Sequence, residues 1–274
     1  MVAAAVVPAF GSSLNLGTAV SFGLIGGTIS NTGTSVVTGN VGATTTITGF
    51  PPGTATGTVY AAGNPTAVAA YDAIFNPGGA LSTAEGLTPA GSFTTATSQT
   101  FLGNTVYASS GDISTATGTN LTFNAQGDPT ALFIIQIDGA FTVNGAMTFT
   151  LENQAQADNI FWIVENNATI SVGSSGAINF DGNILAGDTF TMSAASGGSG
   201  VLAGTINGCV FAQNANTLAG TTDVGGCAAT NAGGSTGGGG VPEPASAGLV
   251  SLSGLIGIWA WRRFRVSHSR SWLC

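Results

Sequence analysis

From Leu14 to Cys227 the chain is a succession of short runs in which apolar residues alternate with Thr, Ser or Asn, and the runs are separated by Gly, Asn or Asp. A period of two marks half-buried strands. It is clearest at Val36-Val37, Thr46-Ile47-Thr48, Phe141-Thr142-Val143, Met147 to Leu151, Thr169 to Val172 and Thr189 to Met192. These segments are rich in the β-branched and aromatic residues that suit a pleated surface. In the second half the pattern repeats. Units open at Ala131 (ALFIIQID), Asn159 (NIFWIVEN), Asn183 (NILAGD) and Cys209 (CVFAQN), at spacings of 28, 24 and 26 residues. Each opening run is followed by a Thr-bearing strand, and in the first three units by one more short strand.

Three short strands per repeat of this length predict a mostly β fold, a parallel β-helix with triangular coils. A β-sandwich also supplies evenly spaced alternating strands. The recurring Asn-Ile opening and the matched strand order favour the solenoid. Open solenoid ends need cover, and the opening segment and the Cys227 region are the candidates. One stretch departs from the strand period. Pro65 to Asn76 is Ala-rich, starts with Pro and is followed by Pro77-Gly78. It predicts one short α-helix packed alongside, with Ala67, Ala70, Tyr71 and Ile74 on one face. Asn76 to Thr95 reads as loop.

Charge narrows the function sharply. The chain has 12 acids, 4 arginines, no lysine and 1 histidine, for a net charge of −8. Arg262, Arg263, Arg265, Arg270 and His268 all follow Trp261, so the body is anionic throughout. That excludes a cationic nucleic-acid footprint, a phosphate clamp and a histidine general base. Turn acids such as Asp112, Asp128, Asp138, Asp181 and Asp188 form no dense ligand loop, so neither a metal nor a cofactor is expected. A glycosidase without Arg, Lys or His to hold an acidic polysaccharide is disfavoured, and the chain reads as a non-enzyme. Cys209 and Cys227 are close enough in sequence to pair in an exported chain. Two unpaired thiols are the alternative.

The ends differ from the body. Residues 1–14, with Met1 to Phe10 (MVAAAVVPAF), read as the remnant of a signal peptide without its basic leading region, or as a first strand. Residues 15–228 form the domain, and 229–241 a Gly/Ser-rich linker. Pro242-Glu243-Pro244, the apolar run Ala245 to Trp261 and the Arg262, Arg263, Arg265 cluster follow, with 266–274 as a tail. The run is at the short limit for a transmembrane-like helix. Residues 242–265 resemble the PEP-CTERM sorting signal of Gram-negative bacteria. That likeness implies export, recognition by an exosortase-type enzyme, transient inner-membrane anchoring through this segment alone, and delivery to the cell surface or extracellular matrix.

The body resembles the bacterial and fungal ice-binding protein family. The likeness is carried in order by Leu16-Gly17-Thr18-Ala19, Thr28 to Gly33, Val37 to Gly42, Ile47 to Gly53, Asn124 to Pro129, Phe133 to Ile137, Asn159 to Trp162, Gly182 to Ala186 and Ala212 to Asn214. It implies a right-handed, discontinuous β-helix that adsorbs to ice, its partner being ordered water. Stacked coils would array outward Thr hydroxyls and methyls in two dimensions, about 4.8 Å by about 6.7 Å. The candidate face is Thr142, Asn144, Thr169, Ser171, Thr189, Thr191, Ser193 and Thr217. Thr117, Thr119 and Asn120 join it through the family's Thr-Ala/Gly-any-Thr/Asn pattern. The other reading is a structural or adhesive matrix protein on the same scaffold that binds exopolysaccharide.

Overall fold

A computed structural model describes residues 14–227, except 95–97, 146, 173–176 and 194–201. The expected signal-peptide remnant apart from its last residue, Leu14, and the linker, sorting motif and apolar tail fall outside the described residues. Among the described residues no helix is long and apolar enough to cross a membrane.

After a 3-10 turn at Gly17–Ser21, an N-terminal block carries β1 (Phe22–Asn31), β2 (Val36–Val37), β3 (Asn40–Thr48) and β4 (Thr54–Ala55). Two helices follow, α1 (Pro65–Phe75) and α2 (Ala80–Glu85). The long winding section then runs through β5 (Gly91–Ser92), β6 (Gln99–Leu102), β7 (Thr105–Ala108), β8 (Ile113–Thr115), β9 (Asn120–Asn124), β10 (Phe133–Ile137), β11 (Phe141–Asn144) and β12 (Thr148–Glu152). It continues through β13 (Ile160–Val164), β14 (Ala168–Ser171), β15 (Ile178–Asp181), β16 (Asn183–Ala186), β17 (Thr189–Ser193), β18 (Leu202–Asn207), β19 (Val210–Leu218) and β20 (Thr221–Val224).

The strand pairings are parallel and define three faces. The first runs β5-β7-β10-β13-β16, then the starts of β19, β1 and β3. The second runs β8-β11-β14-β17, then the far ends of β19, β1 and β3. The third is divided into β6-β9-β12 and β15-β18-β20-β2-β4. The helix is therefore discontinuous. β1 stacks on β19 and β2 on β20, so the N-terminal block lies beyond the last coil of the winding section. This corrects the expected caps. The coil that ends at Cys227 is internal; the N-terminal block covers that end, and at the other end Phe93, following β5, packs on Phe101 and Trp162.

Burial explains why the repeat opens with unbroken apolar runs. First-face strands are covered on both sides, so they lose the period of two. Phe133, Ile135 and Ile137 fill the interior, while Ile134, Phe161, Ile163, Leu185 and Phe211 point the other way. These meet Ala67, Ala70 and Ile74 of α1 and Leu81 and Ala84 of α2. α1 begins as its sequence dictates, with Asn64 Oδ1 accepting from Thr66 N at 2.9 Å and Pro65 in the first turn. α2 was expected to be loop. Its six residues are too few to be helical alone. Burial of Ala80, Leu81 and Ala84 stabilises it, and Gln136 Nε2 donates to Ala84 O at 2.7 Å and Leu87 O at 2.9 Å.

The interior is aromatic. Trp162 stacks on Phe141 with centroids 5.0 Å apart, and its Nε1 donates to Asp181 O at 3.0 Å. The indole therefore buries its full apolar area without orphaning its one donor.

Candidate functional site

The second face keeps the period of two because one side is open. Its inward residues include Phe141, Val143, Ile170, Phe190, Met192, Leu218 and Ile29, all no more than 1% exposed. The outward residues between them line up by strand register. Ser114 pairs with Thr142, Thr142 with Thr169, Thr169 with Thr191, Thr191 with Thr217, Thr217 with Ser30, and Ser30 with Thr48. This is one hydroxyl column, seven rungs deep. Six intervals of about 4.8 Å make it about 29 Å long.

Two partial columns flank it. Asn144, Ser171 and Ser193 stand in register on one side. Thr189, Ala215, Thr28 and Thr46 stand in register on the other. No register shift interrupts β8-β11-β14-β17-β19 on this face. Hydrogen bonds brace the flanks. Asn144 Nδ2 donates to Ser114 Oγ at 2.9 Å, and Thr189 Oγ1 to Asn167 Oδ1 at 2.7 Å.

Every residue of the three columns is small and uncharged. The acids Asp112, Asp138, Glu165 and Asp188 sit in the turns that lead from the first face into this one, along its border. There Glu165 is held above the ordinary carboxylate range by a hydrogen bond shared with Asp138 and by that neighbour's charge. Glu85 of α2 is raised too, first by burial and then by Glu165. Among the described residues no group of three or more His, Cys, Asp or Glu is arranged to hold a metal ion. Among the described residues neither other face carries a hydroxyl column of this length, the third holding only the three rungs Thr100, Thr122 and Thr150. The helices cover the first, and the third is split and carries Glu152, Asp181 and Asp223.

Eight of the residues expected on the face lie on it: Thr142, Asn144, Thr169, Ser171, Thr189, Thr191, Ser193 and Thr217. Thr117, Thr119 and Asn120 do not. Thr117 is in the turn after β8 and donates to Asn144 O at 3.3 Å. Thr119 is 5% exposed and points inward, so it cannot meet a surface. Asn120 opens β9 on the third face. The residues missed were Ser114 and the N-terminal Thr28, Ser30, Thr46 and Thr48. Their signal was present, since Thr28-Ile29-Ser30 has the same alternation as Thr169-Ile170-Ser171. Cys209 and Cys227 are bonded, their Cα atoms 4.7 Å apart.

Among the described residues the second face is thus the one that is both uncovered and free of charged side chains. The Ice-binding-like family model matches residues 24–223, and the chain belongs to that family. It is 33% identical over 182 residues to an ice-binding protein of Nostoc sp. (strain HG1), a match that covers 65% of this chain and 63% of that one. The matched stretch is thus less than two thirds of that relative's length. A shorter match, 39% over 69 residues, links it to ice-binding protein K3-B1 of Typhula ishikariensis, covering 25% of this chain and 27% of that one. The fold resembles the crystal structure of an ice-binding protein from the Antarctic ascomycete Antarctomyces psychrotrophicus. The TM-score is 0.64 at 28% identity, over 77% of this chain and 97% of that one.

Proposed function

We propose that this protein adsorbs to ice through its second face, and that the seven-rung hydroxyl column from Ser114 to Thr48 is the centre of the contact. The observation that carries this reading is the unbroken register of Ser114, Thr142, Thr169, Thr191, Thr217, Ser30 and Thr48. An array of hydroxyls and methyls at fixed spacing can order water on both group types at once. β-Branched Thr on a rigid sheet has little rotamer freedom to lose on contact, whereas a Lys would lose about 1.5–2 kcal/mol. Displaced or flexible charge would break the match, and the face has none.

The family relationship supports the same reading. The resemblance of the tail to a sorting signal supports a surface or matrix setting reached through an exosortase-type enzyme. The test is an ice-recrystallisation assay on the purified protein. Small crystals should persist at protein concentrations where an unrelated solenoid has no effect. Ordinary crystal growth, with binding to isolated exopolysaccharide instead, would select the adhesive reading.

A further inference from the structure

β19 supplies one coil's first and second faces and β20 its third, so Val210 to Val224 is one complete turn of the solenoid. Cys209 immediately precedes that turn, and Cys227 follows it after Gly225 and Gly226. Their bond closes the turn into a covalent ring. The strand pairings of the N-terminal block with the winding section run through this ring, β1 on β19 and β2 on β20. Buried polar contacts join the same two parts. Asn216 Nδ2 donates to Ile25 O at 2.7 Å, and Thr222 N to Ser35 Oγ at 2.9 Å. The backbones also touch closely. A Cβ at Gly33 would overlap Gly220, and one at Gly27 would stand 2.5 Å from Asn214 O.

We infer that the closed coil is a redox-gated seat for the N-terminal block, and that reduction releases the block and removes its rungs from the second face. The functional half of this inference rests on the ice-adsorption reading; the structural half does not. A dithiol reduces the bond by exchange. One of its thiolates attacks a sulfur, most readily that of half-buried Cys227, and the other resolves the mixed disulfide. Two electrons and two protons pass to the protein. The products are Cys209 and Cys227 thiols and a cyclic external disulfide. The open coil gains chain entropy when the block is undocked, which favours undocking. α1 packs on β1, β3 and β19 and tethers the block, so what undocks is the far ends of β1 and β3 on the second face and the pairing of β2 with β20. The hydroxyl column then ends at Thr217, with five rungs in place of seven.

The test is amide hydrogen exchange on the full chain, oxidised and dithiothreitol-treated, with the Cys209→Ser/Cys227→Ser variant as a second route. Amides of β1 and β3 should exchange about ten- to a hundredfold faster on reduction, while those of β10 and β13 keep their protection. Unchanged exchange in β1 and β3, or an equal rise in all four strands, overturns the gate. Ice-recrystallisation inhibition should weaken in parallel. If β1 and β3 open and inhibition is unchanged, the N-terminal rungs are not part of the contact. If the oxidised protein has no effect on ice, the adsorption reading fails and the exchange result still judges the gate.

Discussion

Asn183→Ala tests how successive coils are locked at the corner where the third face meets the first. Asn183 is 2% exposed. Its Nδ2 donates to Asp158 O at 2.8 Å and Ile160 O at 3.1 Å, and its Oδ1 accepts from Cys209 N at 3.1 Å. One side chain therefore joins three coils, which is the physical content of the recurring Asn at the start of the repeat. Alanine leaves the Asp158 carbonyl and the Cys209 N–H without these partners, while Ile160 O keeps its ladder bond from the backbone N–H of residue 183. Each orphaned buried group costs about 1–3 kcal/mol, so the two together cost about 2–6 kcal/mol. For a domain of this size each kcal/mol moves the midpoint by about 2–4 °C, so thermal unfolding by circular dichroism should fall by roughly 4–24 °C. Asn207→Ala is the control. It removes a single exposed bond to Asp181, and its effect should stay within about 0.5 kcal/mol. Asn183→Asp keeps the acceptor but loses both donated bonds. It also adds a carboxylate beside Asp158 and Asp181, which burial already holds above the usual range. It should unfold below the alanine variant at neutral pH and recover on acidification. An Asn183→Ala midpoint within about 2 °C of the parent would refute the locking argument.

Three further outcomes follow from the geometry. Asp158, Asp181 and Glu85, raised chiefly by burial, and Glu165, raised by its bond to Asp138, bind protons more tightly folded than unfolded. Stability is therefore lost as pH rises through their folded values. The unfolding midpoint should climb from about pH 7 to about pH 5, and a steady fall over that window contradicts the assignment. Thr115 and Thr119 bury hydroxyls that have no partner among the described residues. Thr119→Val should be neutral or stabilising by up to about 1–3 kcal/mol and leave ice recrystallisation unchanged. Lost inhibition at unchanged stability would return Thr119 to the contact. No group in the three columns of the second face titrates near neutrality, so inhibition should stay flat from about pH 5 to about pH 9.

Much of this was legible in the chain because burial writes itself into period. Strands with one open side alternate, as in Thr169-Ile170-Ser171. Strands covered on both sides do not, as in Phe161-Trp162-Ile163. The repeat gave the coils, and the alternation gave eight residues of the face. What stayed hidden depends on contacts distant in sequence. α2 exists because its Ala80, Leu81 and Ala84 pack over β10 and β13, which no local pattern reports. Ser30 and Thr48 belong to the face because β1 stacks on β19, over 180 residues away. Thr119 shows the opposite hazard. It fits a local motif, yet the turn at Gly118 aims it inward.

The central claim is that one face makes the contact. Its most direct test compares Thr169→Tyr and Thr191→Tyr on the second face with Thr205→Tyr, which is outward on the third. Each would raise a phenol ring above its sheet without entering the core. Ice-recrystallisation inhibition, measured on protein whose unfolding midpoint is unchanged, should be lost in the first two variants and kept in the third. Full inhibition in both Thr169→Tyr and Thr191→Tyr would contradict the account.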